Sequence, residues 1–237
     1  MKTHAPLTTV PRRAVLIFAD SAYTDQTRRA FPVTARALLA LPKLDPKLSQ
    51  NTDLHLFTSG FTSDAAGLRI HRQTGHTFSA RLENAITKIE ELGYEEIVVV
   101  GRDCPSLCAR DMAQAFEDLA SRKLVLGPDH RGGCYLIAFR LADRQLLRGI
   151  RWRQNTDCAE LLRRCADSEV YLLTTKHDLD SWADVALFSR SGDPLSRLAA
   201  FLLASITNLS DAIAYFVDLA AQAIRIRLQM PPPAFVN

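Results

Sequence analysis

The sequence has no long uninterrupted apolar run: none of its hydrophobic stretches approaches the roughly 20 residues needed to span a bilayer. The apolar stretch nearest the amino terminus, "AVLIFA" within "MKTHAPLTTVPRRAVLIFADSA", follows a twin arginine as an export signal would. It is barely long enough for that role and fits a buried first strand, so a cytoplasmic protein is expected. Charge of one sign is scarce as well. The formal net charge is +3, and the pairs Arg12-Arg13, Arg28-Arg29 and Arg163-Arg164 are scattered among carboxylates and apolar residues. Nucleic-acid binding calls for a clustered basic face, so no nucleic-acid partner is expected. Paired C-x2-C spacing is absent: Cys104, Cys108, Cys134, Cys158 and Cys165 are an odd number without zinc spacing. They read as free thiols, with Cys104, beside Asp103, expected to be the most exposed.

What is present describes an ordinary globular chain of 237 residues, 47% hydrophobic and 23% charged, of one domain or one domain with an appendage. Segments rich in β-branched residues alternate with segments of helical period, the pattern of βαβ units and a mainly parallel sheet. Strands are predicted at 14–19, 54–58, 96–100, 123–126, 134–139 and 170–173, and helices at 34–41, 78–92, 109–120, 158–165 and 181–188. The helix at 78–92 has an apolar stripe of Leu82, Ile86, Ile89 and Leu92, with Gly93 as its stop. An α/β domain over 10–190 is expected. Past "SRSGDP" strand character disappears, and "LSRLAAFLLASITNLSDAIAYFVDLAAQAIRIRLQM" reads as two helices broken near Asn208, with Ser210 as N-cap of the second. The extension over 191–237 must bury its apolar face, which predicts a homodimer formed through these helices. The closing "PPPAFVN" reads as a loose tail.

Three loops could carry chemistry: "GRDCPSL" with Asp103, "LGPDHRGGCYLI" with Gly132 and Gly133, and "KHDLDSWADV" with His177, Asp178 and Asp180. In open α/β sheets ligands bind outside the carboxyl ends of the strands, where Asp103 stands. If the loops meet there, Asp103 with Asp178 and Asp180 supplies the hard oxygens that a Mg2+ or Mn2+ ion requires. Such an ion neutralises a diphosphate and assists its departure. Gly132 and Gly133 would let backbone approach a ligand. His177 has the ordinary pKa of a general base. Each residue also has a plainer reading: solvated turns for the acids, an aspartate favouring a helix N-terminus, a tight hairpin for the glycines, a surface histidine.

The order "VVVGRDCPSL", "LVLGPDHRGGCYLIAF", "RGIRWRQNTDCAELL", "HDLDSWADV" resembles a bacterial family of glycosyltransferase-like proteins, related to GT-A-fold nucleotidyltransferases that include the molybdenum-cofactor guanylyltransferases. "HRQTGHTFSARLENAI" fits where that family has a Gln, a Gly and then an Arg opening a helix, and the likeness runs from about Ala14 to Val185. The resemblance implies a Rossmann-like three-layer GT-A/nucleotide-diphospho-sugar transferase fold, here with a C-terminal helical extension. It implies a nucleotide or nucleotide-sugar donor and a Mg2+ or Mn2+ ion. It puts Asp103 on the metal-site aspartate, Asp178 and Asp180 on the second acidic motif, and Gln73, Gly132, Gly133, Thr27 and Arg28 at the nucleotide.

Three positions depart from the family. In "SAYTDQTRRAFP", Gln26 replaces the lysine of a Lys-Thr-Arg run while Thr27 and Arg28 remain; an amide cannot replace that compact charge, though Arg28 or Arg29 can bind phosphate. Arg102 replaces a small residue, and Arg131 an acid before the two glycines, so both bring positive charge to the supposed metal site. Two classes of function follow: a metal-dependent transferase on a nucleotide-activated small molecule with an unspecified acceptor, by glycosyl or nucleotidyl transfer, or a GT-A-fold binding protein or scaffold whose chemistry has lapsed.

Overall fold

A computed structural model describes residues 11–20, 51–60 and 67–204. The elements in chain order are strands β1 (Arg13–Phe18), β2 (Thr52–Thr58) and β3 (Leu68–Arg72), helix α1 (Phe78–Glu91), β4 (Glu96–Val100), α2 (Ala109–Asp118), β5 (Leu124–Pro128), β6 (Cys134–Arg140), a 3-10 stretch Leu141–Leu147, α3 (Asp157–Leu162), β7 (Val170–Leu172) and α4 (Trp182–Phe188). The chain divides into two compact units, Met1–Asp184 and Val185–Asn237. In the second, 196–204 are helical; the expected break at Asn208, the second helix and the tail lie outside the described residues, as does the helix expected at 34–41.

The strands form one seven-stranded sheet in the order β3-β2-β1-β4-β6-β5-β7. All pairings are parallel except those of β6, which runs antiparallel to both β4 and β5. The reversal is local in origin: residues 129–133 close a short hairpin, with the Asp129 N–H donating to the Gly133 carbonyl at 3.0 Å. Side chains alternate across a strand, so β1 feeds two cores. Ala14 and Leu16 pack with Leu82, Ile86 and Ile89 of α1 on one face, while Val15 and Ile17 pack with Met112, Ala115 and Phe116 of α2 on the other. This gives three layers.

Local sequence explains the best-defined helix. Thr77 caps α1 by accepting the Ala80 N–H at 3.1 Å, the predicted stripe faces the core, and Gly93 terminates it at φ +78. Full burial of each Leu or Ile of that stripe contributes ~2 kcal/mol. β3 was not foreseen, because "LRIHR" alternates apolar with cationic residues on an edge strand whose burial is incomplete.

Candidate active site

At the carboxyl ends of β1 and β4, and beside the amino end of the reversed β6, lies a cavity of about 440 Å3. Its position follows from the sheet: parallel strands point their carboxyl ends to one edge, and the antiparallel β6 brings its first residues to the same edge. Asp103, Asp178 and Asp180 all line it, so the acidic residues of two loops far apart in sequence meet there.

The meeting is built by backbone and by one lysine. The Leu179 N–H donates to the Asp103 carbonyl at 2.8 Å. The Lys176 ammonium donates to the Ser106 carbonyl at 2.7 Å, pairs with Asp111 and stands 5.5 Å from the centre of the Tyr135 ring. Tyr135 in turn donates its hydroxyl to the Thr174 carbonyl at 3.0 Å. At the end of β4 the Asp103 carboxylate folds back over Gly101, where any Cβ would collide with Oδ1. A side chain at 101 would therefore displace the aspartate.

The three acids are not equivalent. Asp178 is buried, whereas Asp180 is more open and paired with Arg131 at 3.2 Å. The same guanidinium nitrogen bonds Asp184 at 3.1 Å. Asp184 is the hub of the turn, accepting the Ser181 N–H and hydroxyl, each at 2.8 Å, and facing His130 at 3.3 Å. Burial pushes its carboxyl up, but the Ser181 hydroxyl, the Arg131 guanidinium and the His130 ring outweigh this and hold it below the usual range. Arg131 is thus engaged at the acidic turn. Among the described residues no three His, Cys, Asp or Glu side chains are grouped so as to hold a metal ion by themselves.

The remaining expected residues divide. Gln73 lines the cavity, with its amide nitrogen donating to the carbonyls of Phe57 at 2.9 Å and Ala19 at 3.4 Å. Gly133 lines it too; Gly132 instead adopts φ +100 and lies against the Asn155 carbonyl. His177 is not among the described residues that line the cavity; its ring stacks obliquely on His130 at 4.6 Å, and burial, then His130, lower its pKa. Thr27, Arg28 and Gln26 lie outside the described residues. Cys104 is corrected: it is buried, and burial, then Asp178, push its thiol far up, while Cys108 is the exposed one. The sulfur packs inward with the α2 face, so its place beside Asp103 in sequence does not open it to solvent.

Two further acids that line the cavity were not anticipated. Asp129 holds the hairpin, its Oδ1 accepting the N–H groups of Arg131 at 2.6 Å and Gly133 at 3.0 Å. Asp157, the first residue of α3, accepts the Arg153 N–H at 3.2 Å through Oδ2. Both read in sequence as turn and helix-start residues, and nothing in their spacing signals a site. Between them runs the loop 151–156, in which Arg153 (φ +65) and Asn155 (φ +58) are left-handed. Glu160 braces it by accepting the Arg151 N–H at 3.1 Å and the Thr156 hydroxyl at 3.0 Å.

The sheet order, the three layers and the strand-end cavity define an α/β protein of the nucleotide-diphospho-sugar transferase fold. A Desulfovibrio desulfuricans G20 protein, provisionally named a nucleotide-diphospho-sugar transferase, superposes with a TM-score of 0.64 at 22% identity, covering 84% of this chain and 97% of that one. A cytidylyltransferase from Leptospira borgpetersenii serovar Hardjo-bovis superposes with a TM-score of 0.51 at 13% identity, covering 85% and 96%. Residues 33–154 match the family described as "uncharacterized protein conserved in bacteria" (DUF2064), and the chain belongs to that family. No curated protein matches it.

Proposed function

We propose that the protein is a transferase acting on a nucleotide-activated donor, with glycosyl transfer from a nucleotide sugar as the leading chemistry and nucleotidyl transfer as its alternative on the same site. The observation that carries this reading is the stapling of Asp103 and Asp178 to one cavity at the strand ends. Mg2+ and Mn2+ commonly use one or two protein carboxylates and complete their shells with water and substrate phosphate oxygens. Asp103 and Asp178 fit that role, and a third protein ligand is not required; Asp180, engaged by Arg131, is the weaker member of the set proposed from sequence. Bound there, the ion would supply charge neutralisation of the departing diphosphate.

The chain's own groups supply positioning and field, which dominate diphosphate chemistry. Arg81 and Arg102 line the cavity and complement an anionic donor, and phosphate contacts by Thr27 and Arg28 are carried over from the sequence resemblance. Gln73, with its nitrogen engaged by backbone, would meet a nucleotide through Oε1. Gly133 permits close approach of a ligand to the hairpin. His177 would act as a base only through a rearranged loop. Cytoplasmic localisation is part of this proposal and rests on the reading of "AVLIFA" as a first strand; separately, no helix among the described residues is long and apolar enough to cross a membrane. We further propose homodimer formation through the C-terminal helices, which a monomeric mass by light scattering would refute.

Arg131 favours a second reading, in which guanidinium groups take the place of the cation and the domain binds nucleotides without turning them over. Calorimetry with UDP, GDP, CDP and their sugars, with and without Mn2+, separates the two. Binding that requires Mn2+ supports the transferase; Mn2+-independent binding supports the second reading; no binding across the panel overturns both.

A further inference from the structure

Asp157 has one carboxylate oxygen committed and one not. Oδ2 accepts the Arg153 N–H, whereas Oδ1 is buried in a residue only 9% exposed and has no hydrogen-bond partner among the described residues. Leaving a buried acceptor unsatisfied costs on the order of 1–3 kcal/mol, and in a residue that borders a cavity a donor arriving with a ligand would relieve that cost. Asp157 borders the strand-end cavity together with Asp129, Phe78 and Trp152.

The chemistry of this end restricts the visitor. Burial, aided by the charge of Asp129, raises the Asp157 carboxyl above its ordinary range despite the backbone N–H groups of Arg153 and Gln154. A pair of acids disfavours an anionic group and suits an uncharged O–H donor. Phe78 and Trp152, with ring centres 6.4 Å apart and planes inclined at 54°, supply an apolar wall, and the Arg153 guanidinium stands 5.8 Å from the centre of the Phe78 ring. An apolar wall with few convergent acceptors selects a compact ring that has an apolar face and a hydroxylated edge.

We propose that the Asp157 end of the cavity is a subsite for an uncharged sugar ring, one hydroxyl of which donates to Asp157 Oδ1 while its C–H face lies against Phe78 and Trp152. The assignment deepens the transferase reading and rests on it for the origin of the ring, in the donor or in the acceptor. Asp157 is here a binding and specificity residue.

The test uses the full chain. Its two tryptophans give two indole N–H resonances, assigned with a Trp182→Phe variant. Methyl glucoside, galactoside and mannoside are titrated alone and with UDP or GDP plus Mn2+, with methyl glucuronide as the charged control. At least one neutral glycoside should shift the Trp152 resonance and the glucuronide should not. By calorimetry, a nucleotide sugar should bind at least tenfold more weakly to Asp157→Asn than to the unaltered protein, with the parent nucleoside diphosphate unaffected. Competition between glycoside and nucleotide sugar assigns the ring to the donor, and joint binding assigns it to the acceptor; either supports the subsite. No Trp152 shift with any glycoside or nucleotide sugar overturns it, as does unchanged binding by a folded Asp157→Asn. Should that variant not fold, the Trp152 titration decides. Glycoside binding without nucleotide binding sinks the transferase reading alone, and the converse sinks the subsite alone.

Discussion

The N–H of Leu179 donates to the carbonyl of Asp103 at 2.8 Å, so the acid at the end of β4 and the acids flanking Leu179 are fixed to each other by backbone. Lys176 reinforces the junction from a position where both it and Asp111 are mostly buried, at 15% and 16% side-chain exposure. Removing one partner of such a pair leaves an uncompensated charge, at a cost of about 3 kcal/mol. Lys176→Met should therefore lower Tm by on the order of 10 °C. In a thermal melt, the double variant Lys176→Met/Asp111→Leu should recover part of the loss.

The unequal acids at the cavity give a graded series. Asp103→Asn and Asp178→Asn should each abolish the Mn2+-dependent part of nucleotide binding, a loss of about a hundredfold or more if each holds the ion. Asp180→Asn should cost less than tenfold, because Asp180 already faces Arg131. Titration calorimetry with and without Mn2+ reads all three, and equal losses would contradict the ranking.

Stability should fall as pH is lowered from about 6.5. His55 is fully buried, with Nδ1 2.9 Å from Nε2 of His71. Burial, then the nearby His71 and Arg69, press its pKa down to about 4, while Asp53 opposes them and Arg12 adds to them. His71 is lowered by burial, Lys88 and Arg69, and His177 shifts in the same sense. The unfolded chain takes up these protons near pH 6.5 and the folded chain does not, so the contribution is full above 6.5 and is lost as pH falls toward 4. His55 alone accounts for on the order of 3 kcal/mol. Asp157, with a raised pKa, opposes the trend; Glu160, Glu169 and Asp184, with lowered ones, extend it at more acidic pH. Urea midpoints measured from pH 7 to pH 4 should show the fall, and His55→Gln should flatten it.

Gly132 tests the loop beside the hairpin. At φ +100, with the Asn155 carbonyl where a Cβ would stand, alanine must both adopt a strained backbone and push the 151–156 loop. Gly132→Ala should destabilise by about 2 kcal/mol or more and weaken ligand binding. Gly67→Ala, at φ +85 in open space, should cost only the backbone strain of about 1 kcal/mol. Chemical denaturation of the two variants makes the comparison.

The fold was largely legible because its signals are local. "EIVVV" is apolar enough to be a strand buried on both faces, and α1 shows its stripe, cap and stop within seventeen residues. The reversal of β6 was not legible as a pairing, because two glycines allow a hairpin but do not choose β4 as the neighbour of β6. At the site, Asp103, Asp178 and Asp180 stand out as acids at strand ends, whereas the tie between Arg131 and Asp184 is a tertiary contact without a sequence signature. Asp129 and Asp157 were hidden for a related reason. An aspartate in a turn or a first helical turn satisfies backbone donors in most proteins, and only three-dimensional placement reveals that Asp157, whose Oδ1 has no hydrogen-bond partner among the described residues, borders a cavity.

The backward course of β6 has an evolutionary corollary. Of the five-residue hairpin tip 129–133, Asp129, Arg131 and Gly133 line the pocket, while β5 and β6 keep a regular register from Leu124 opposite Phe139 to Gly127 opposite Leu136. Ligand preference can therefore drift by exchange at Arg131, while Asp129 and the two glycines hold the turn and are not free to change.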